Sequence, residues 1–151
     1  MIRKIVSGGQ TGADRAALDF AMKNGISHGG WVPKGRKAED GPIPDRYNLR
    51  EMPTASYPQR TEQNILDSDG TLIISHGPLT GGSALTKELA DRRHKPRLHI
   101  DLNAIPLPEA AEKIRNWLEL LSIEVLNIAG PRASENEKIY SDTITLLEIS
   151  I

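Results

Sequence analysis

Short apolar runs alternate with amphipathic stretches along most of the chain. The apolar runs at residues 2–6, 70–75, 97–102 and 123–128 predict strands, and a weaker run at residues 30–32 predicts another. Between these runs, apolar residues recur at helical spacing. The predicted helices cover residues 13–24, 56–67, 83–93 and 108–121, and a last helix carries Ile139, Thr143, Leu146 and Leu147.

This alternation predicts an α/β fold: one domain over residues 1–151, with three α/β/α layers of the Rossmann-like kind. We expect a mostly parallel sheet of about five strands, covered by helices on both faces. With strands numbered along the chain, the preferred order is 2-1-3-4-5, because the chain must reverse around the first strand to use both edges. A further strand inside the segment 33–58 would instead place strand three outermost, and the pattern leaves this alternative open.

The segment 33–58 is polar, irregular and rich in proline. Loops longer than about 12–15 residues are uncommon in compact domains unless they cover a site, bind a ligand or are disordered. We therefore predict a lid or binding loop at about residues 33–58.

Two short motifs predict where helices begin. Ser56 with Gln59, and Ser134 with Glu137, have the spacing of a capping box, in which each residue caps a backbone N–H of the other. We therefore expect one helix to start just after Ser56 and another just after Ser134.

Charge and composition exclude several kinds of site. The 151 residues carry a formal net charge of −1 and no cysteine, which excludes disulfides, thiolate metal sites and a cysteine nucleophile. A near-neutral chain has no global field for extended nucleic-acid contact, so any anion has to be held locally. No segment approaches the roughly 20 apolar residues needed to cross a bilayer, and no signal-peptide pattern is present. We expect a cytoplasmic protein with no membrane partner.

Three glycine-bearing segments follow predicted strands and precede predicted helices. They are residues 7–12 (SGGQTG), 80–83 (TGGS) and 129–132 (AGPR). The carboxyl ends of parallel strands meet at one edge of a sheet. Helix N-termini there offer free N–H groups, and glycine lets a ligand approach the backbone. We therefore predict one shared site for a phosphate or another oxyanion. The segments match neither G-x-G-x-x-G nor the Walker pattern, which disfavours dinucleotide redox enzymes and ordinary nucleoside triphosphatases.

Side chains near these segments could complete the site. Arg60 and Asn64, four residues apart, share one helix face, and the guanidinium fork of arginine suits phosphate or molybdate-like oxyanions. Arg132 follows a predicted strand. The predicted ligand contacts are Gly8, Gly9, Gln10, Thr11, Gly12, Arg60, Asn64, Gly81, Gly82, Ser83, Gly130 and Arg132.

Other polar residues have two interpretations. Asp14 is either part of the site or a first-turn carboxylate that favours its own helix dipole. Lys34 and Arg36 suit a solvated surface as well as a ligand role. The four histidines lack the spacing of metal ligands, so no protein-held metal is predicted, although His76 follows a strand end near the glycine segments.

Five stretches of the chain, in order, resemble the family of molybdenum cofactor carrier proteins: SGGQTGADRAALD, WVPKGRKAEDGPIPDRY, QRTEQNILDSDGTLII, LTGGSALTKELA and AGPRAS. That family belongs to a Rossmann-like superfamily that also holds the lysine decarboxylase-like phosphoribohydrolases. The resemblance implies a non-enzymatic carrier that binds the molybdenum cofactor, a phosphorylated pterin (molybdopterin) with an oxo-metal centre. It also implies a homo-oligomer, a dimer or tetramer.

The superfamily leaves two alternatives open. The phosphoribohydrolases, which hydrolyse the N-glycosidic bond of nucleoside monophosphates, have a G-G-x-G-T-x-x-E motif. Residues 81–88 (GGSALTKE) keep its two first glycines and its glutamate, Glu88, but have Ala84 and Leu85 where the motif has glycine and threonine. Glu88 is therefore a candidate catalytic residue only if the protein is a hydrolase. A nucleotide-binding sensor is the other alternative.

Overall fold

Strands and helices alternate along the computed structural model, which describes residues 1–151. In chain order, the elements are β1 (Lys4–Val6), α1 (Ala13–Lys23), β2 (Ser27–Gly29), β3 (Trp31–Val32), β4 (Lys37–Ala38), β5 (Gly41–Pro42), β6 (Arg50–Glu51), α2 (Tyr57–Leu66), β7 (Gly70–Ser75), α3 (Gly81–Arg92), β8 (Arg97–Asp101), α4 (Leu107–Leu120), β9 (Val125–Ala129) and α5 (Ile139–Ser150). No helix is long and apolar enough to span a membrane.

The central sheet has five parallel strands in the order β2-β1-β9-β7-β8. The parallel α/β fold is as predicted, but the predicted strand order is wrong, because the last strand of the chain lies at the centre of the sheet. In β9, Leu126, Asn127 and Ile128 are all buried, as a strand with neighbours on both edges and helices on both faces requires. Periodicity indicates how buried a strand is, but not which strands are its neighbours.

The observed strand order becomes the predicted one if the N- and C-termini are moved to a different connection of the same sheet. If the chain began at β7, ran through β8 and β9, and continued into β1 and β2, the same sheet would be numbered 2-1-3-4-5. The sheet is therefore a circular permutation of the predicted arrangement.

The second strand of the sheet also differs from the prediction. It is Ser27–Gly29, a polar edge strand paired only with β1, whereas Trp31–Val32 pairs with Arg50–Glu51 in a separate two-stranded sheet. Gly30 separates the two strands at φ 134°, and a Cβ there would lie 2.2 Å from the Ser7 carbonyl oxygen. An edge strand needs little apolar character, so hydrophobic patterning missed it.

Helices cover both faces of the sheet. The face under α1, α4 and α5 holds the larger core, which includes Phe20, Ile114 and Leu146. The other face, under α2 and α3, has a smaller cluster of Ile65, Leu89 and Ala90. These layers confirm the three-layer α/β/α fold.

One predicted helix start agrees with the structure and the other does not. Ser56 caps α2 by accepting the Gln59 N–H at 3.3 Å. Ser134 caps no helix, because α5 begins only at Ile139 and the Ser134 hydroxyl donates to Glu39 instead. This tertiary hydrogen bond replaces the predicted local one.

The segment 33–58 contains the β4–β5 hairpin and irregular backbone between short strands. Its side chains Ile43 and Tyr47 are buried against Leu18 of α1, and Asp40 forms an ion pair with Arg15 of the same helix. The segment is therefore attached to the domain by both apolar and charged contacts. Its role as a lid or binding loop stays a prediction.

Candidate anion-binding cleft

A cleft lies beside the carboxyl ends of β1 and β9, between helices α2 and α3, with room for about 90 Å³ of solvent. Parallel α/β sheets bind ligands in such crevices outside the carboxyl ends of their strands. Its walls are mostly polar and come from four parts of the chain: Gly8, Gln10, Asp14, Tyr57, Pro58, Arg60, Thr61, Asn64, Gly82, Ser83, Leu85, Thr86, Asn127, Ile128, Ala129, Gly130, Pro131, Arg132 and Glu135.

The structure brings together residues from all three glycine-bearing segments. Of the predicted ligand contacts, those that line the cleft are Gly8, Gln10, Arg60, Asn64, Gly82, Ser83, Gly130 and Arg132. Those outside its walls are Gly9, Thr11, Gly12 and Gly81. Gly9 instead faces Ile43 and Leu49 of the segment 33–58.

Gly12 and Gly130 have backbone roles. Gly12 precedes α1 at φ 83°, and a Cβ there would lie 2.5 Å from the Pro131 carbonyl oxygen. A Cβ on Gly130 would lie 2.5 Å from the Ile74 carbonyl oxygen. The absence of a side chain at these two glycines lets the loop after β9 lie close to the loop after β1 and to the end of β7.

Arg60 is the central cation of the cleft. Its side chain is only 9% exposed. Nη1 donates to the Gly8 carbonyl at 2.6 Å and Nε donates to the Tyr57 carbonyl at 3.3 Å, while Nη2 has no partner in the protein. Burial lowers the pKa of Arg60, but arginine stays protonated under ordinary conditions. Arg60 therefore offers a positively charged donor inside a poorly solvated space.

Gln10 supplies a second free donor. Its Oε1 accepts the backbone N–H groups of Thr11 at 3.1 Å and Glu39 at 2.9 Å. Its Nε2 is buried and has no hydrogen-bond partner, and a buried polar group in that state costs roughly 1–3 kcal/mol. Gln10 lines the cleft, so a ligand oxygen that came within hydrogen-bond distance of Nε2 would remove this cost.

The N-terminus of α3 supplies further donors. The N–H groups of Gly81, Gly82 and Ser83 have no backbone partner, and the N-cap residue Thr80 makes no side-chain cap. A Cβ on Gly82 would meet no atom within 4 Å, so the space in front of this turn is open. Free N–H groups and the helix dipole both favour an anion at this position.

The other two helix starts do not contribute in the way that the sequence suggested. The α1 N–H groups of Ala13 and Arg15 donate to the carbonyls of Pro131 and Gln10. The segment 129–132 is followed by a turn, and α5 starts only at Ile139. In the first turn of α1 only the Asp14 N–H has no partner, so α3, with three free N–H groups, is the larger contributor of backbone donors among the predicted helix starts.

Asp14 lies in the wall of the same cleft. Its Oδ2 accepts the Gln10 N–H at 3.2 Å and lies 3.7 Å from Arg60 Nη1, while Oδ1 has no partner in the protein. Burial raises the pKa of Asp14 to about 6, against the opposing effects of Arg60 and of the Gln10 hydrogen bond. The ionic attraction to Arg60 is therefore weaker than the cost of desolvating the carboxylate.

Three cations surround the ring of Tyr57 at the rim of the cleft. Lys37 Nζ lies 4.1 Å from the ring centroid, and the guanidinium carbons of Arg60 and Arg132 lie 5.2 Å and 5.7 Å from it. Arg132 also lies 3.7 Å from the carboxylate of Glu135. The rim is therefore an aromatic surface within a positive field.

Sequence reasoning missed several residues of the cleft wall. Asn127 carried a signal, because it is a polar residue inside the otherwise apolar strand VLNIA, and its Nδ2 donates to Thr71 at 3.2 Å. The sequence carries no such signal for Tyr57 and Thr86, because nothing in their local sequence indicates that their side chains face a cleft. The sequence allowed Asp14 to be either a site residue or a carboxylate that favours its own helix dipole. The structure supports the first interpretation, because Asp14 lines the cleft.

Other candidates lie elsewhere. Glu88 pairs with Arg92 on the surface of α3 and lines a different hollow, together with His99. Arg36 donates to three carbonyls of its own segment. His76 Nε2 lies 2.8 Å from Asp142. These contacts do not reach the cleft.

No group of three His, Cys, Asp or Glu side chains is arranged to hold a metal ion. The cleft instead presents donors: the guanidinium of Arg60, the amide of Gln10 and the N–H groups of α3. This set fits the oxygens of a phosphate or another oxyanion.

Comparisons with known proteins agree with the fold. A crystal structure of a "Putative molybdenum carrier protein" from Syntrophus aciditrophicus SB superposes with a TM-score of 0.99, at 61% sequence identity, over 99% of this chain and 95% of that one. No curated protein matches the chain. The family model described as the "Circularly permutated YpsA SLOG family" matches residues 5–151, and the permuted strand order agrees with that description. The chain therefore belongs to the circularly permutated YpsA SLOG family.

Proposed function

We propose that the protein is a carrier that binds a phosphorylated, pterin-type small molecule, the molybdenum cofactor, by its anionic group. The observation that carries the proposal is that Arg60, Gln10 and the first turn of α3, with the free N–H groups of Gly82 and Ser83, all line one cleft. All of these groups are donors without a full set of protein partners. An anion is the ligand that satisfies them together.

The size of the cleft indicates which part of the ligand it holds. Sites for whole drug-sized ligands measure about 300–1,000 Å³, whereas this cleft has room for about 90 Å³. It therefore suits a phosphate-sized group, with the remainder of the ligand outside it. The exposed part would extend past Tyr57, whose ring can contact a flat heterocycle.

The solved relative supports the choice of cargo. It is 61% identical and is described as a "Putative molybdenum carrier protein". In this proposal molybdenum is held through the cofactor that carries it, whose anionic group meets the donors of the cleft. In this proposal the protein binds, shields and releases its cargo without a covalent step.

The position of Glu88 does not support the hydrolase alternative. Glycosidic hydrolysis would need a general acid or base within reach of the bound nucleotide. Glu88 is exposed, pairs with Arg92 and lines a hollow separate from the phosphate-sized cleft. No observation favours hydrolysis over binding.

Calorimetric titration tests the proposal. The purified protein is titrated with molybdenum cofactor released anaerobically from a molybdoenzyme, and is separately incubated with nucleoside monophosphates while released base is measured. We expect saturable cofactor binding that Arg60→Ala weakens by at least about tenfold, as loss of a charged hydrogen bond implies, and no release of base. Base release that Glu88→Ala abolishes would contradict the carrier function and support the hydrolase.

We further propose that the carrier is a cytoplasmic homo-oligomer. Leu120, Leu121, Ile149 and Ile151 are exposed apolar residues at the C-terminal ends of α4 and α5, and Arg115 connects these helices by donating to the Ile149 carbonyl. Sedimentation equilibrium of the purified protein tests the assembly. A mass of 16.6 kDa at all concentrations would contradict it.

A further inference from the structure

Asp14 is an unexpected residue in a cleft that suits an anion. Its carboxylate lines the same walls as the donors, and one of its oxygens, Oδ1, has no partner in the protein. An ionised carboxylate repels a fully ionised anion, and the repulsion is strong where water is scarce. The same carboxylate accepts a strong hydrogen bond from an anion that still carries a proton.

We propose that Asp14 determines ligand specificity by selecting an anion that presents a hydrogen-bond donor. Arg60, Gln10 Nε2 and the start of α3 would bind the unprotonated oxygens, and Asp14 Oδ1 would accept the O–H of a monoprotonated phosphate. This inference rests on the proposed anion-binding function and names the class of group that the cleft accepts. A phosphate monoester suits it, because its second pKa is near 6 and it retains a proton in part at neutral pH. Sulfate does not suit it, because it has no proton there.

The charged groups around Asp14 come from several elements. Arg60 faces it from α2, Arg132 from the loop after β9, and Arg15 from its own helix. Glu135 lies in the same cleft wall as Arg132. Despite the three arginines, the pKa of Asp14 is raised to about 6 by burial, so Asp14 itself becomes protonated in mildly acidic solution. A fully ionised anion would then bind to the protonated form of Asp14 more tightly than to the ionised form.

Titration with two inorganic anions tests the inference. The wild-type chain and Asp14→Asn are titrated with phosphate and with sulfate at constant ionic strength, between pH 5 and pH 8. At pH 7 we expect the wild type to prefer phosphate by about tenfold or more, the effect of one charged hydrogen bond. We expect sulfate to bind the wild type more tightly as the pH falls through about 6.

Asp14→Asn keeps the shape of the side chain and an acceptor for the Gln10 N–H, but it carries no charge. We expect the variant to prefer phosphate over sulfate by no more than about threefold, mainly because it binds sulfate more tightly than the wild type does. We also expect its sulfate affinity not to change as the pH falls through about 6. A purely structural role for Asp14 would move neither the selectivity nor the pH profile.

The possible outcomes separate this inference from the proposed function. Equal binding of phosphate and sulfate by the wild type at pH 7 would overturn the role of Asp14 while supporting an anion site. Selectivity that persists in Asp14→Asn would also overturn it. Failure of the wild type to bind either anion, or molybdenum cofactor, would overturn both. Should Asp14→Asn fail to fold, the selectivity and pH profile of the wild type alone decide the question.

Discussion

Arg60 Nη1 lies 3.7 Å from Asp14 Oδ2 but donates its hydrogen bond to the Gly8 carbonyl at 2.6 Å. The two opposite charges are therefore neighbours in a buried space without a direct hydrogen bond. A buried pair of this kind does not recover its desolvation cost, and the raised pKa of Asp14 reflects that deficit. The cleft keeps its cation and its carboxylate incompletely paired, which leaves both groups available to a ligand.

Gln10→Glu removes the free donor of the cleft while keeping the acceptor oxygen that Thr11 and Glu39 use. At pH 8 we expect phosphate to bind at least about tenfold more weakly, because a donor is replaced by a negative charge. Gln63→Glu is the matched control, since Gln63 belongs to α2 but does not line the cleft, and its side chain donates to Asp67. Equal losses in the two variants, measured by calorimetry, would contradict the role of Gln10.

Gly8→Ala places a methyl group where the Arg60 side chain lies. The new Cβ would be 1.8 Å from Arg60 Nη1, so the guanidinium has to move. We expect a loss of about 1–3 kcal/mol in the free energy of unfolding, the usual cost of overpacking, together with weaker phosphate binding. Urea denaturation and calorimetry measure the two effects.

Gly82→Ala should weaken phosphate binding without the loss of stability, and it serves as the comparison. A Cβ on Gly82 meets no protein atom within 4 Å, so the free energy of unfolding should change little. The methyl group would nevertheless occupy the open space in front of the α3 N–H groups and weaken phosphate binding. If the Gly82→Ala variant binds phosphate like the wild type, the anion does not approach this turn.

Asp14→Asn should stabilise the unliganded protein at neutral and alkaline pH. Folding raises the pKa of Asp14 from 3.8 to about 6, so the ionised form is disfavoured in the folded state. The protonated Asp14 carboxyl therefore contributes to the free energy of unfolding. This contribution is fully present below pH 3.8 and is lost as the pH rises through about 6. The difference between the pKa values of Asp14 in the folded and unfolded states corresponds to about 3 kcal/mol at most in the free energy of unfolding.

Urea denaturation of the wild type and Asp14→Asn at pH 4, 6 and 8 measures this effect. The variant should gain stability relative to the wild type between pH 4 and pH 8, with most of the gain complete by about pH 7. A variant that is less stable at pH 8 than at pH 4, relative to the wild type, would contradict the raised pKa.

Glu39→Ala should loosen the segment 33–58. The Glu39 carboxylate accepts hydrogen bonds from the Thr11 hydroxyl and from the N–H and hydroxyl of Ser134. These bonds lower the pKa of Glu39, so its contribution to stability is present above its ordinary value of 4.5 and is lost as the pH falls below it. At pH 7 we expect faster amide hydrogen exchange in the segment 33–58 of the variant.

Asp45→Asn is the control for this experiment, because Asp45 lies in the same segment, is fully exposed and has only a 4.0 Å contact with Arg36. Its exchange should match that of the wild type. Repeating the measurement with bound phosphate tests the predicted lid: protection of the segment by the ligand would support a covering role, and unchanged exchange would contradict it.

Much of the fold could be predicted because it depends on local patterns. The run GTLIIS and the helical spacing around Ile114 are dictated by burial on a strand or helix, so they are visible in the order of residues alone. The polar strand Ser27–Gly29 was missed because an edge strand has no such requirement. The capping box at Ser134 was wrong because a distant carboxylate, Glu39, competes for the same hydroxyl.

The order of residues by itself determined that this chain forms a parallel α/β domain with glycine-rich turns after its strands, since burial and backbone freedom act within a few residues. Tertiary structure alone decided that β9 lies between β1 and β7. That placement brings Gly130 beside Gly8 and Arg60, and encloses Asp14 in the same cleft. The pairing of strands and the desolvation of a carboxylate depend on partners far apart in the chain, which local periodicity does not encode.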